Sequence, residues 1–267
     1  MKKYWHVIGI GLQSNLTYRF NYLTRTLFSF IPLFAMLSLW RTIYSHNSGT
    51  VDNGFSQAQM IFYYMLVAVV DVFTAVNEDD WQIAADIREG NISQFLLKPV
   101  DYLWYRLSLF FSGRLAFIMM AIVPLLLFIF CFRTYFVAPA NGLALVIFPI
   151  SLLLTALLQF FISYTMAMLA FWLLEISTLI FILFAFEYLA SGHLFPLALL
   201  SPTLFHVLMF TPFPYLLYFP ISVYMGKTVG SGLWFGLAMQ VGWVMFAYVL
   251  ARFMWRRGIK KYSAFGG

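Results

Sequence analysis

Between Arg133 and Glu175 the chain runs for 41 residues, Thr134–Leu174, without one charged side chain. At about 1.5 Å of rise per residue a single helix of that length would reach about 60 Å, far beyond the ~30 Å hydrocarbon core of a bilayer. The run therefore has to turn back, and Pro139-Ala140-Asn141-Gly142 supplies the turn. Four more charge-free intervals, Thr26–Trp40, Asn53–Val70, Leu115–Phe132 and Thr228–Ala251, punctuate the rest. Such a pattern needs lipid as solvent: 63% of the 267 residues are hydrophobic and 10% charged, against about 25% charged in soluble domains. A soluble globule and a disordered chain are both excluded, and the lone Cys131 excludes an internal disulfide framework. In this setting the net charge of +6 marks cytoplasmic helix ends and not a nucleic-acid partner.

With the long run divided into Leu143–Phe171 and Glu175–Ala190, the intervals predict an all-α membrane protein of six transmembrane helices. An inside N-terminus puts thirteen of the sixteen Lys and Arg residues on the cytoplasmic side and leaves Arg41, Arg133 and Lys227 outside. Both termini are then cytoplasmic. Residues 1–24 lack a small-residue cleavage site after Leu12 and carry Ile8, Leu12, Leu16 and Phe20 at helical spacing, continued by Leu23 and Leu27. They read as a helix in the cytoplasmic interface or as a cytosolic start of the first span. No repeat, low-complexity tract or Gly/Ser linker divides the chain, so residues 1–267 are expected to form one domain.

Residues 77–106 are the sizeable cytoplasmic excursion. Glu78-Asp79-Asp80 followed by Ile83 and Ile87 predicts a short helix with acids at its start, closed by Gly90. Asn91–Leu97 is a short apolar element stopped by Lys98-Pro99. Exposed Phe95 and Leu97 there fit a docking surface for a soluble partner, and a loop packed on its own helix ends fits as well. The stretch 191–230 is apolar yet carries Pro196, Pro202, Pro212, Pro214 and Pro220. At about 3 kcal/mol per proline in a helix interior, one continuous helix is excluded. Short re-entrant pieces facing outward remain, either as a gate over a path or as an immobile cap.

The run Asp86-Ile87-Arg88-Glu89-Gly90-Asn91-Ile92-Ser93-Gln94-Phe95-Leu96-Leu97-Lys98-Pro99-Val100 resembles the segment between the second and third spans of permease subunits of type-2 ABC exporters, in their small bacterial six-span branch. Gly192-His193-Leu194-Phe195-Pro196-Leu197, Pro202, Thr211-Pro212-Phe213-Pro214-Tyr215 and Phe219-Pro220 are similar to its Pro-rich stretch between the last two spans. The resemblance implies an exporter in the bacterial inner membrane, with a pore of two permease copies or of a copy and a paralogue. A cytosolic ABC ATPase dimer holding ATP and Mg would drive it, with no cofactor in this chain. It further implies ATPase coupling through Arg88, Glu89, Gly90, Phe95, Leu96, Leu97 and Pro99. The outer gate or path would fall on Glu187, Phe195, Pro196, Pro202, Pro212, Tyr215 and Pro220. Gly226-Lys227-Thr228 is no nucleotide site, because Ile221 stands where a P-loop needs its first glycine.

Ionisable groups inside lipid are costly and mark function or tight pairing. Asp71 and Glu175 fall near cytoplasmic ends, where water reaches them. Glu187 lies about 18 Å of helix further along than Glu175, and either lines a path or is held by neighbours. A membrane-embedded hydrolase or acyltransferase using Glu187 and His193 is the alternative function, and a channel or scaffold without ATP coupling is a third. His193, His206 and Glu187 lack the spacing of a metal site. Gly232-x-x-x-Gly236 permits a close helix approach, within the subunit or between subunits.

Overall fold

Several of these helices run on through charged residues, Arg19–His46 past Arg41 and Tyr102–Cys131 through Arg106 and Arg114. The computed structural model describes residues 2–17, 19–46, 50, 51, 55–74, 79–135, 139 and 142–262, with the backbone alone at 2, 19–23, 25–27, 29, 30, 50, 51, 79 and 80. Helix α1 spans Lys2–Thr17 and α2 spans Arg19–His46, so residues 19–24 belong to the second helix, which runs on past Arg41. A two-stranded antiparallel hairpin, β1 (Thr50–Val51) with β2 (Phe55–Ser56), leads into α3 (Gln57–Thr74). Next come α4 (Asp79–Arg88), α5 (Ile92–Leu96) and α6 (Tyr102–Cys131). Helix α7 (Gly142–Ala167) is extended by a 3-10 turn, Met168–Phe171. Helices α8 (Ser177–Ala190), α9 (Pro202–Met209), α10 (Tyr218–Tyr224) and α11 (Ser231–Lys261) complete an all-α membrane architecture. Asn77, Glu78, Ala140 and Asn141 lie outside the described residues, as do the side chains of Arg19, Phe20, Leu23, Arg25 and Leu27.

Four helices among the described residues, α3, α6, α7 with its 3-10 turn, and α11, are long and apolar enough to cross a membrane. Helix α8 is apolar but has 14 residues, about 21 Å of rise, short of the ~30 Å hydrocarbon core. The interval Leu115–Phe132 proves to be only the second half of α6. Its first half carries Arg106 and Arg114, both buried: α1 packs along this half, and Arg106 is held by Asp86 and Gln82 of α4. Ser112 Oγ donates to the Ile8 carbonyl at 3.1 Å, and the Lys3 amine donates to the Pro99 carbonyl. Arg114 lies against the rings of Phe110 and Phe117 at 5.9 and 5.3 Å. Protein shields these charges, so α6 continues through residues that a lipid-facing helix would exclude.

The prolines of 191–230 sit where a missing N–H does no harm. Pro196 precedes the 3-10 turn Leu197–Leu199, Pro202 opens α9, Pro212 and Pro214 stand at the start of the 3-10 turn Phe213–Leu216, and Pro220 is in the first turn of α10. Helices α9 and α10, joined by the 3-10 turn Phe213–Leu216, make up a broken pair, the V. Its tip, Thr211–Tyr215, lies beside Phe186 of α8, Thr155 of α7 and Gln240 of α11, while Tyr224 at the far end of α10 packs on Phe62 and Phe148. Thr155 is about 20 Å along α7 from its start, so the tip sits deep in the bundle.

A polar hub makes that broken backbone tolerable. Gln240, Ser151 and Thr155 are fully buried. The Gln240 amide faces the Ser151 carbonyl, the Thr155 hydroxyl and the Tyr215 carbonyl, each at 3.1 Å, and accepts from Ser151 Oγ at 2.9 Å. Thr155 Oγ1 also donates to the Tyr215 carbonyl, at 2.9 Å. Irregular backbone at membrane depth survives only where protein or water satisfies it, and here Gln240 and Thr155, from two helices, do so, with Ser151 holding Gln240 in place. Of the two glycines in the Gly-x-x-x-Gly pattern, Gly236 meets Phe219 of α10 inside the subunit, whereas Gly232 has nothing nearer than a Thr228 methyl at 3.9 Å.

Candidate functional site

Residues 79–101 gather both described ends of the chain around one end of the bundle. Helix α4 buries Ile83, Ala84 and Ile87, each isoleucine worth about 1.5–3 kcal/mol of apolar burial. Gly90 then turns the chain at φ +81°, a left-handed conformation that glycine adopts freely. Ile92 is buried, and Asp101 caps α6 by accepting from the Trp104 N–H at 3.2 Å. Asp86 pairs with the buried Arg106 and accepts from Tyr102 Oη at 2.8 Å. On the other flank Asp101 pairs with Arg252 of α11, and Trp255 stacks on Tyr102 at 5.0 Å.

The expected coupling residues divide. Phe95 does not project outward: its ring is half-buried, 5.1 Å from Tyr102 and 4.9 Å from Tyr105, with the Lys98 amine 5.3 Å above it. The α5 helix is too short to hold a ring that size free of the α6 start it lies against. Leu96, Leu97, Glu89 and Pro99 are exposed, and Leu97 is 88% exposed. Arg88 reaches sideways, its Nη1 donating at 3.4 Å to the Leu174 carbonyl in the turn between α7 and α8. Leu174 is 90% exposed. Leu97 and Leu174, in adjoining turns, are thus the two most exposed large apolar side chains among the described residues. Beside them Ser177 donates from its side chain and its backbone N–H to Glu175, holding that exposed carboxyl below the usual range.

Sequence reading missed the tether at the chain's other end. Tyr262 Oη donates to the Gly90 carbonyl at 3.0 Å and lies 3.3 Å from Ser93 Oγ, while its ring meets Phe171 edge-on at 6.1 Å. A partner 172 positions away leaves no local signal. Tyr262→Phe removes that bond, worth about 0.5–1.5 kcal/mol. Amide exchange from Gly90 to Phe95 is therefore expected to quicken by up to about tenfold in the mutant, with α6 unchanged. Unchanged exchange at Gly90 would show that the tether does not hold the turn.

The residues expected to form an outer gate lie along α8 and the V. Tyr215 is fully buried, its ring 5.5 Å from Phe219 and its hydroxyl donating to the Met209 carbonyl at 2.9 Å. Pro196 and Pro220 are buried, Phe195 and Pro212 half-buried, and Pro202 exposed. Glu187 is buried one turn before Ser191 and close enough to His193 to act on it electrostatically. Asp71, expected to face water, keeps 43% of its side chain exposed and is also bound: its Oδ1 lies 3.0 Å from His193 Nε2, and His193 Nδ1 lies 2.7 Å from Ser191 Oγ. That chain has the polarity of a hydrolase relay. However, Ser191 is fully buried with its hydroxyl committed to His193, so it is a packing partner and not a nucleophile open to substrate. Among the described residues no group of three or more His, Cys, Asp or Glu side chains is placed to hold a metal ion.

No curated protein matches the chain. Residues 30–266 match the family described as ABC-2 family transporter protein. The match takes in α3 to α11 and most of α2, and so both the exposed turns and the proline-broken V. The chain belongs to the ABC-2 transporter family and is a multi-pass membrane protein of it.

Proposed function

We propose that the chain is one permease domain, residues 1–267, and the membrane subunit of an ATP-driven exporter in a bacterial inner membrane. It crosses six times with both termini in the cytoplasm, α1 lies at the cytoplasmic interface, and two copies, or a copy and a paralogue, enclose the path. A cytosolic ABC ATPase dimer, which carries ATP and Mg, docks on 77–106. The V of 191–230 closes the outer side, with Glu187 on α8 and Phe195, Pro196, Pro202, Pro212, Tyr215 and Pro220 along it. Switching between inward-open and outward-open states then follows from ATP binding in the partner biasing one of two packings.

The observation that carries this reading is the pair of nearly naked leucines, Leu97 and Leu174, in turns and not on lipid-facing helix. They share an end of the bundle with Lys3 and Tyr262. Exposed apolar side chains outside lipid mark a contact with a partner. Losing one such anchor typically costs at least about 1–2 kcal/mol, roughly tenfold in affinity. Leu97→Asp and Leu174→Asp are each expected to weaken capture of the cognate ATPase about tenfold or more at matched membrane levels. Phe95→Ala is expected to act mainly on the fold of α5. Full capture by both leucine variants would sink the docking surface.

A further inference from the structure

Helix α3 grips the root of the V at three consecutive residues. Tyr63 Oη donates to the Gly192 carbonyl at 2.7 Å, Tyr64 Oη donates to the Leu194 carbonyl, and between them Asp71 meets the imidazole of His193 at 3.0 Å. Trp40 of α2 braces Tyr64 by donating to its hydroxyl at 2.9 Å. The gripped turn is built for the purpose. Gly192 has φ +100°, and a Cβ there would stand 2.7 Å from Tyr63 Oη. Its neighbour Ser191 accepts at its carbonyl from the Tyr218 N–H at 3.0 Å, which ties the same turn to the start of α10.

The position of α3 gives this grip its meaning. Asp71 is in the last turn of α3, which ends at Thr74, and α4 begins at Asp79. His193 is three residues past the end of α8 and three before Pro196, where the broken stretch begins. A short side-chain contact, beside the two tyrosine hydrogen bonds, therefore joins the helix that leads into the ATPase-facing segment to the turn that carries the V. The groups that act on His193 are Asp71 from α3, Ser191, whose Oγ lies 2.7 Å from Nδ1, and Glu187 and Tyr188 from α8, with Tyr188 stacked on the ring at 5.1 Å. Short side-chain hydrogen bonds are directional, so this one fixes the orientation of the turn relative to α3.

We propose that the Asp71–His193 pair transmits movement of the cytoplasmic segment to the outer V, making Asp71 and His193 positioning residues for gating. This rests on the ATPase reading above, and the test separates the two. Exposed Cys131 is replaced by serine, and a reporter cysteine is placed at Val207, on the exposed face of α9. Labelling by a membrane-impermeant maleimide is measured on the complex with its ATPase in vesicles, without nucleotide and after trapping with ATP and vanadate.

In the parent the labelling rate is expected to change on trapping. Asp71→Asn keeps the shape and an acceptor oxygen but removes the charge, and His193→Gln removes the ring; both are expected to abolish the change while the ATPase stays bound and hydrolyses ATP. Asp71→Glu retains the response, and the exchanged pair Asp71→His with His193→Asp regains it, which a merely structural role would not produce. Should His193→Gln fail to insert, the contrast between Asp71→Asn and Asp71→Glu decides alone. A bound ATPase with a normal labelling change in Asp71→Asn overturns the link and leaves the ATPase reading intact. Absence of ATPase binding or of any trapping response in the parent overturns that reading and the link with it.

Discussion

Replacing Gly236 with valine is expected to destabilise the protein by at least about 1–3 kcal/mol, the usual range for an overpacked core, while Gly232→Val, four residues away, leaves it nearly unchanged. A Cβ at Gly236 would stand 2.2 Å from one Phe219 ring carbon and 2.9 Å from two others. Phe219 has no room to yield, being fully buried among Tyr215, α7 and α11. At Gly232 the nearest atom is 3.9 Å off, an ordinary contact. Thermal unfolding in detergent measures the difference, and Phe219→Ala placed on Gly236→Val should recover part of the loss by vacating the contested space. Equal damage from both glycine variants would mean that the two glycines together face another helix. The close approach would then be at a contact between subunits.

Gln240→Leu carries the second large effect, felt in the V and not where the substitution is made. Interhelical hydrogen bonds in membranes average about 0.6 kcal/mol and reach about 1.7, since most groups find other partners once one is removed. The Tyr215 carbonyl has fewer choices, because it belongs to a broken helix, deep in the bundle, and accepts from Gln240 and Thr155. An unsatisfied buried polar group costs about 1–3 kcal/mol. The single change leaves Thr155 in place and is expected at the lower end of that range. Gln240→Leu combined with Thr155→Val strips both donors and should cost more than the sum of the two alone. With the tip released, residues 196–220 should become cleavable by protease added from outside, where the parent resists. A double variant whose V stays resistant would show that packing of Tyr215 and Phe219, and not the polar hub, holds the broken backbone in place.

What the sequence could determine was whatever acts along the chain. Charge-free runs announced the long apolar helices α3, α6, α7 and α11 because lipid penalises each charge wherever it falls, and the five prolines announced broken helix because each removes a local N–H. Ile83 and Ile87 with Gly90 foretold α4 and its turn for the same reason: spacing and φ are properties of neighbours. The ends were misjudged where protein replaced lipid, as at Arg106 and Arg114, which α1 and the segment after α3 shield so that α6 runs on through them.

Tertiary structure alone decided the partners. Gly232 and Gly236 share one motif, yet only Gly236 meets a ring. Phe95 and Leu97 sit two apart in one apolar element, yet one turns in and the other out. Asp71 finds His193 across 122 positions, and Tyr262 finds Gly90 across 172. In water an apolar stripe tells the inner face of a helix from the outer, but a helix in lipid is apolar on both. Periodicity therefore says that a segment crosses and stays silent on what it touches, which is settled by shape and by the few polar groups that must find one another inside.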